Sequence, residues 1–218
     1  MTAAPPVDAA QAAGLFAPLL AYRHVLLAVS GGADSTALMW LAARWRQSQA
    51  GPEISVATID HALRPEAAGE CERVAERARR LGFSCLIRRR SGPALQSRLQ
   101  EQARAARYAL LAEAATELGA QALVTAHTLD DQAETVLMRL GHGSTVDGLA
   151  AMRGQSLLAT AGGTRLALIR PLLSVPKARL IATLETAGID WIEDPSNSDA
   201  RFERVRLRRA MPGSPRPA

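Results

Sequence analysis

The sequence has 218 residues, of which 48% are hydrophobic and 22% are charged, and this composition excludes a disordered or fibrous chain. Its formal charge of +5 comes from 26 basic and 21 acidic residues, and every basic residue except Lys177 is an arginine. This balance permits a nucleic-acid partner without indicating one, and the two cysteines, Cys71 and Cys85, match neither a CxxC redox pair nor a four-ligand zinc pattern.

The N-terminal stretch is rich in alanine and proline, and no basic residue precedes Arg23. It therefore lacks the charged region of a secretory signal, and no run approaches the roughly 18 consecutive apolar residues of a membrane span. We expect a cytoplasmic protein that does not span a membrane. Residues 1–21 are interpreted as an extension, with a short covering helix over residues 12–20 and the ordered core beginning after it.

Between residues 22 and 152, short apolar runs alternate with longer helical patterns. Such alternation predicts an α/β domain, in which a doubly wound parallel sheet is covered by helices on both faces. The predicted strands are residues 25–29, 54–59, 83–87 and 122–126, and the predicted helices are residues 35–46, 66–81, 95–118 and 130–140.

The pattern changes after Gly148, because residues 157–160 and 166–169 flank the glycine-containing turn 161–164. This arrangement is typical of a hairpin, which could add to the edge of the sheet. A further helix is predicted over residues 176–187. We assign residues 153–210 to a small C-terminal hairpin and helical extension of the same domain.

A last helical stretch is predicted after Pro195-Ser196-Asn197, and residues 211–218 are predicted to be a disordered tail. Residues 201–218 carry six arginines around apolar positions. A basic helix of this kind could follow an RNA backbone, and the alternative is a solvated surface helix.

The first strand runs directly into Ser30-Gly31-Gly32-Ala33-Asp34-Ser35, and a helix follows at once. Adjacent glycines let backbone N–H groups approach a phosphate, the helix N-terminus adds partial positive charge, and Ser30 and Ser35 supply hydroxyl groups. The loop matches neither GxxxxGKS/T nor GxGxxG. Asp34 would repel phosphates unless Mg²⁺ lies between them, so we assign it as the metal-side carboxylate. The alternative is a plain turn with Asp34 as a helix cap.

The loop is the SGGxDS pattern of the N-type ATP pyrophosphatases, and the rest of the chain resembles the tRNA(Ile)-lysidine synthase family within that superfamily. The matching segments occur in order over roughly residues 24–209. They are residues 59–65 (IDHALRP), 101–108 (EQARAARY), 125–135 (TAHTLDDQAET), 148–152 (GLAAM), 170–173 (RPLL) and 193–197 (EDPSN).

This resemblance implies a Rossmann-like fold of the adenine nucleotide alpha hydrolase type and a carbon–nitrogen ligase that uses ATP and Mg²⁺. Its substrates would be L-lysine and the isoleucine tRNA with a CAU anticodon. The wobble cytidine would be adenylated with release of pyrophosphate, and the lysine amine would then displace AMP to give lysidine. A homodimer is also compatible with the resemblance.

His61 and Arg64 follow the second predicted strand. They therefore belong to the edge of the sheet where ligands bind in open α/β folds. We expect both to line the nucleotide site, with Arg64 on a phosphate. The alternative for His61 is a loop-capping role.

The long predicted helix places Glu101, Arg104, Arg107 and Tyr108 on one face. A solvated face with a weak Glu101–Arg104 ion pair is the alternative. The resemblance favours contact with ATP or RNA and implies catalytic roles for Arg104 and Arg107.

His127 follows the fourth predicted strand, and Asp131 and Glu134 lie in the first turns of the next helix. All three are candidate catalytic residues, because carboxylates there could bind the lysine ammonium or accept its protons. A purely structural role at the helix N-terminus is the alternative. The sequence does not divide these roles among Asp130, Asp131 and Glu134.

The sequence departs from the resembled family in two respects. Members normally continue into C-terminal domains that grip the tRNA, which predicts a split or truncated form, or a separately encoded tRNA-binding partner. Val205 stands where many members have asparagine. The rival hypotheses are a tRNA thiolase or another amidating member of the superfamily, of which thiolation is disfavoured by the spacing of Cys71 and Cys85, and a noncatalytic nucleotide- or RNA-binding module.

Overall fold

A computed structural model describes residues 4–60, 66–90, 99–141, 151–160, 163 and 165–193, without the side chains of residues 99–103. The strands are β1 (His24–Ala28), β2 (Glu53–Asp60), β3 (Ser84–Arg89), β4 (Ala122–Val124), β5 (Gln155–Ala159) and β6 (Arg165–Ile169). The helices are α1 (Ala9–Phe16), α2 (Ala33–Ser48), α3 (Ala67–Arg80), α4 (Leu99–Glu117), α5 (Leu129–Gly141) and α6 (Lys177–Thr186), and a 3-10 turn covers Ala17–Ala21.

The six strands form one sheet in the order β3-β2-β1-β4-β6-β5. All neighbours are parallel except β5, which pairs antiparallel with β6 at the edge. The α/β class and the doubly wound parallel sheet are therefore confirmed. The predicted hairpin is also present, because β5 and β6 extend the sheet beyond β4.

Successive residues of the central strands face opposite sides of the sheet, as the two-residue period of a strand requires. Val25 and Leu27 belong to one hydrophobic cluster, which includes residues of α1, α2, α3 and α6. Leu26 belongs to a second cluster on the other face, where α4 contributes Leu111 and Ala115. Helices on both faces explain why these strands read as continuous apolar runs.

The N-terminal segment is part of the core, which corrects the expectation that the ordered core begins after it. Phe16 and Leu19 are fully buried, and the Phe16 ring lies 5.4 Å from that of Trp45 in α2. Arg179 in α6 holds the segment by donating hydrogen bonds to the carbonyls of Pro5 and Pro6, each at 2.9 Å. The predicted covering helix exists, but it begins earlier and ends in the 3-10 turn.

Two expectations fall outside the described residues, namely the last helical stretch and the arginine-rich tail of residues 194–218. Within the described part of the chain, no helix is both long enough and apolar enough to cross a membrane.

Candidate active site

The carboxyl ends of β1, β4 and β6 lie side by side at one edge of the sheet, because these neighbouring strands are parallel. The chain leaves β1 toward β2 on one side, and β4 lies on the other side, so the strand order reverses next to β1. Ligands bind at such reversal points in open α/β sheets. The predicted loop after β1, His127 after β4 and Arg170 after β6 all belong to this edge.

The loop after β1 is fixed by its own hydroxyl groups. The Ser35 hydroxyl donates to the Gly32 carbonyl at 3.0 Å and accepts from the Ser30 backbone N–H at 3.2 Å. The Thr36 hydroxyl donates to the Gly31 carbonyl at 2.9 Å. The loop therefore holds a defined shape at the N-terminus of α2, where the helix dipole favours an anion.

Gly31 is required by the geometry of this loop. Its φ of +89° lies in the left-handed region, which side chains disfavour. An added Cβ would lie 2.6 Å from Ile192 Cδ1 and 3.1 Å from Val74 Cγ2. The Ile192 backbone N–H also donates to the Gly31 carbonyl at 2.9 Å, so the segment after α6 packs directly on the loop.

Asp34 lies in the first turn of α2, and the cap of this helix is Gly32. The interpretation of Asp34 as a helix cap is therefore wrong. Its Oδ2 lies 3.4 Å from the ammonium Nζ of Lys177, and both side chains are partly exposed. A carboxylate and an ammonium thus lie together beside the phosphate loop.

Sequence reasoning missed Lys177, although it is the single lysine among the 26 basic residues. Its position is set by α5, because the Lys177 backbone N–H at the start of α6 donates to Asp130 Oδ2 at 2.8 Å. Asp130 thereby satisfies one of the N–H groups that a helix N-terminus leaves without a partner. Asp130 thus fixes the residue whose ammonium pairs with Asp34.

Asp131 caps its own helix. Its Oδ2 accepts from the Thr128 backbone N–H at 2.9 Å and from the Thr128 hydroxyl at 3.0 Å. The Asp131 N–H donates to the same hydroxyl at 3.4 Å, which completes a reciprocal capping arrangement. These contacts give Asp131 a structural role, whereas Glu134 is fully buried one turn further along α5.

His127 is buried, and its Nδ1 lies 2.9 Å from the Thr125 hydroxyl. Burial lowers the pKa of His127 to about 4, since desolvation disfavours the charged imidazolium. The positive charges of Arg104, Arg170 and Arg107 act in the same direction, and the Asp131 carboxylate opposes them. The imidazole is therefore neutral at physiological pH.

Arg104, Arg107 and Tyr108 of α4 lie close together, and their role in the site stays a prediction. The guanidinium carbons of Arg104 and Arg107 lie 5.2 Å and 5.7 Å from the centre of the Tyr108 ring. Both arginines are close enough to His127 to act on its pKa. The side chain of Glu101 lies outside the described residues, as do His61 and Arg64.

Arg170 is a second residue that sequence reasoning did not place in the site. Its Nη1 donates to the Arg153 carbonyl at 2.8 Å and to the Ser156 hydroxyl at 3.0 Å. These contacts tie the end of β6 to β5 and hold a positive charge near His127. The RPLL segment in which it lies was the signal that could have revealed it.

The fold is that of an α/β domain whose loop Ser30–Ser35 and neutral His127 follow the carboxyl ends of the neighbouring strands β1 and β4, with several arginines near His127. Residues 6–213 match the PP-loop domain family, and the chain belongs to that family. Membership implies ATP binding.

The chain is similar to curated tRNA(Ile)-lysidine synthases. It is 53% identical to the one from a Bradyrhizobium species over 95% of this chain and 57% of the relative. It is 54% identical to the one from Rhodopseudomonas palustris over 94% of this chain and 58% of the relative. The predicted family resemblance is confirmed, and the chain spans a little over half the length of these relatives.

A solved structure shares the fold. The U34-tRNA thiolase NcsA from Methanococcus maripaludis, with its 4Fe–4S cluster, superposes with a TM-score of 0.72 at 18% sequence identity. The superposition covers 94% of this chain and 74% of the thiolase. At this level of identity the likeness concerns the fold alone.

Proposed function

We propose that the chain supplies the ATP-dependent ligase chemistry that attaches L-lysine to the wobble cytidine of the isoleucine tRNA with a CAU anticodon. The observation that carries the proposal is the similarity to curated tRNA(Ile)-lysidine synthases along 95% of the chain, at 53% identity. In this reaction ATP adenylates the cytidine and pyrophosphate leaves. The lysine amine then replaces AMP and loses a proton, which gives lysidine.

The phosphate side of the site suits an ATP substrate. The loop Ser30–Ser35 presents backbone N–H groups and the dipole of α2, and Lys177 adds a compact positive charge. Asp34 Oδ2 lies 3.4 Å from that charge. We propose that Lys177 binds phosphate oxygens when ATP is present.

Asp34 is the residue that we assign to Mg²⁺. Within the described part of the chain, no three His, Cys, Asp or Glu side chains cluster as a complete metal site. The single carboxylate of Asp34 suits Mg²⁺, which proteins usually hold with one or two carboxylates together with substrate phosphates and water. A bound ion would neutralise the phosphate charge beside the Asp34 carboxylate. His61 and Arg64 stay predicted contacts of the nucleotide.

The remaining candidate residues are Arg104, Arg107, His127, Glu134 and Asp131. We call them the acceptor side of the site, because they are proposed to contact the RNA and the lysine. Arg104 and Arg107 are proposed to contact ATP or the RNA, since guanidinium groups pair well with phosphates. His127 stays a candidate proton acceptor, a role that its lowered pKa of about 4 opposes. Glu134, which is fully buried, stays a candidate for the carboxylate that favours the lysine ammonium. Asp131 stays a candidate, but its capping contacts already explain its position.

The thiolase alternative receives no support beyond the fold. Iron–sulfur clusters are commonly held by four cysteine thiolates, and this sequence contains two cysteines. Burial raises the pKa of both, to about 11 for Cys85, so neither is an activated thiolate.

The tRNA substrate is proposed from the names of the curated relatives, which are longer than the region that they share with this chain. A separately encoded tRNA-binding partner and a homodimer stay predictions. The division into residues 22–152 and an extension over 153–210 is likewise proposed, with β5 and β6 joining the same sheet.

The test measures incorporation of labelled lysine into the isoleucine tRNA by the purified chain with ATP and Mg²⁺. Label is expected in the tRNA with a CAU anticodon and not in a transcript whose wobble cytidine is replaced by uridine. Equal label in both transcripts, or none in either while ATP is bound, would contradict the proposal.

Asp34→Ala provides the matched variant of the chain. It should abolish lysine incorporation and leave the circular dichroism spectrum unchanged, because Asp34 is partly exposed at the edge of the sheet. Loss of folding with normal specific activity in the remaining protein would refute the assignment of Asp34 to the chemistry.

A further inference from the structure

Tyr108 lies between the hydrophobic core and the two arginines of α4. Its ring is within 6 Å of both guanidinium carbons, at 5.2 Å for Arg104 and 5.7 Å for Arg107. Cations at this distance from the face of an aromatic ring are attracted by its quadrupole. One ring thus contacts both arginines that the family resemblance places in the site.

The ring itself is fixed. Tyr108 packs against the hydrophobic cluster on the α4 side of the sheet, and so do Ala28 and Ile59 near the carboxyl ends of β1 and β2. Ala28 immediately precedes the segment that leads into the phosphate loop. The ring therefore packs on the face of the sheet whose strand β1 leads into that loop.

The hydroxyl group of Tyr108 does not explain why a tyrosine occupies this position. The oxygen is buried and has no hydrogen-bond partner among the described residues. A buried hydroxyl without a partner is unfavourable, so phenylalanine would serve the packing equally well. The contacts that distinguish this side chain from an aliphatic one are those of its ring with Arg104 and Arg107.

We propose that Tyr108 is a positioning residue whose ring holds Arg104 and Arg107 at the acceptor side of the site. Long arginine side chains lose conformational freedom when they bind a ligand. A ring that already restrains them reduces this cost and fixes where their charges lie. The inference rests on the proposed function, because it acts through arginines assigned to ATP or RNA.

The experiment compares Tyr108→Met, Tyr108→Phe and Tyr22→Met. Methionine fills much of the space of tyrosine but has no aromatic face, and phenylalanine keeps that face. Tyr22, the other tyrosine of the chain, packs against the hydrophobic cluster on the opposite face of the sheet and controls for loss of a packed ring. If Tyr108→Met does not fold, Tyr108→Leu is used in its place.

Two measurements are made on each variant. The first is kcat/KM for lysine incorporation, which should fall by between about tenfold and a hundredfold in Tyr108→Met, as misplaced charged groups do. It should stay within about twofold of the wild type in Tyr108→Phe. The second is the pKa of His127 followed by NMR, which should rise in Tyr108→Met as the arginine charges move away, and stay unchanged in Tyr22→Met.

The proposal is overturned if Tyr108→Phe loses as much activity as Tyr108→Met, or if the pKa of His127 in Tyr108→Met equals that of the wild type. Equal effects of Tyr22→Met and Tyr108→Met would also overturn it, since both would then reflect general packing. If the wild type incorporates no lysine, the proposed ligase function fails, and the NMR measurement still decides the role of Tyr108.

Discussion

Replacement of Gly31 by alanine tests the structure of the phosphate loop. At a φ of +89°, an L-residue is strained, by about 1–2 kcal/mol relative to glycine. The new methyl group would also lie 2.6 Å from Ile192 Cδ1 and 3.1 Å from Val74 Cγ2, so the end of the Ile192 side chain would have to shift. Overpacking of this kind typically costs about 1–3 kcal/mol. Together, the two effects predict a loss of about 2–5 kcal/mol in the free energy of unfolding.

Gly32→Ala is the matched control for this prediction. Its added Cβ would lie 3.9 Å from Ser30 Oγ and 4.0 Å from the Ile192 carbonyl oxygen, and its φ is −67°. We expect a loss below about 1 kcal/mol, because the contacts are ordinary and only the cap preference changes. Urea denaturation followed by circular dichroism measures both variants.

Ile192→Ala separates the two causes. It removes the close contact but leaves the backbone conformation, so the double variant Gly31→Ala/Ile192→Ala should show a favourable coupling energy of about 1 kcal/mol or more. Equal destabilisation by Gly31→Ala and Gly32→Ala, with no coupling to Ile192, would refute the described geometry of the loop.

The remaining predictions concern His127 and Arg179. The pKa of His127 is about 4 in the folded chain and 6.5 in the unfolded chain, so the unfolded state binds more protons between these pH values. The free energy of unfolding should therefore fall as the pH drops from about 6.5 to about 4. The loss is up to about 3 kcal/mol, and His127→Gln should remove this part of the pH dependence in urea denaturation at several pH values. A pH profile unchanged by the substitution would contradict the buried neutral imidazole. Arg179→Ala should release the N-terminal segment, because Arg179 donates to Pro5, Pro6 and Gln11, the last at 2.6 Å. Hydrogen exchange at the Val7 amide should accelerate, with a stability loss of about 1–3 kcal/mol, whereas unaltered exchange would show that the contacts do not hold the segment.

The centre of the sheet could be predicted from the sequence because β1, β2 and β4 are buried on both faces. Continuous apolar runs mark such strands, while glycines mark the loops and helical periods mark the crossover helices between them. The element boundaries shifted by a few residues, as for α2, which begins at Ala33 instead of Ser35. The N-terminal segment was misjudged because its alanines and prolines concealed Phe16 and Leu19, which the core buries completely.

The site could be predicted only where its chemistry is local in sequence. The phosphate loop is contiguous, whereas the pairing of Asp34 with Lys177 joins residues that only the tertiary fold brings together. Asp130 and Asp131 look alike in sequence, yet one holds the N-terminus of α6 and the other caps α5. The Thr128-x-x-Asp131 spacing did offer a signal, since this pattern is typical of a capping box.

The most direct test of the central claim follows the α-phosphate of ATP. The purified chain is incubated with ATP labelled at that phosphate, Mg²⁺ and the isoleucine tRNA with a CAU anticodon, first without lysine and then with it. The account predicts label on the tRNA before lysine is added and its release as AMP afterwards. Pyrophosphate release with no label ever attached to the RNA, or a label that lysine does not displace, would contradict it.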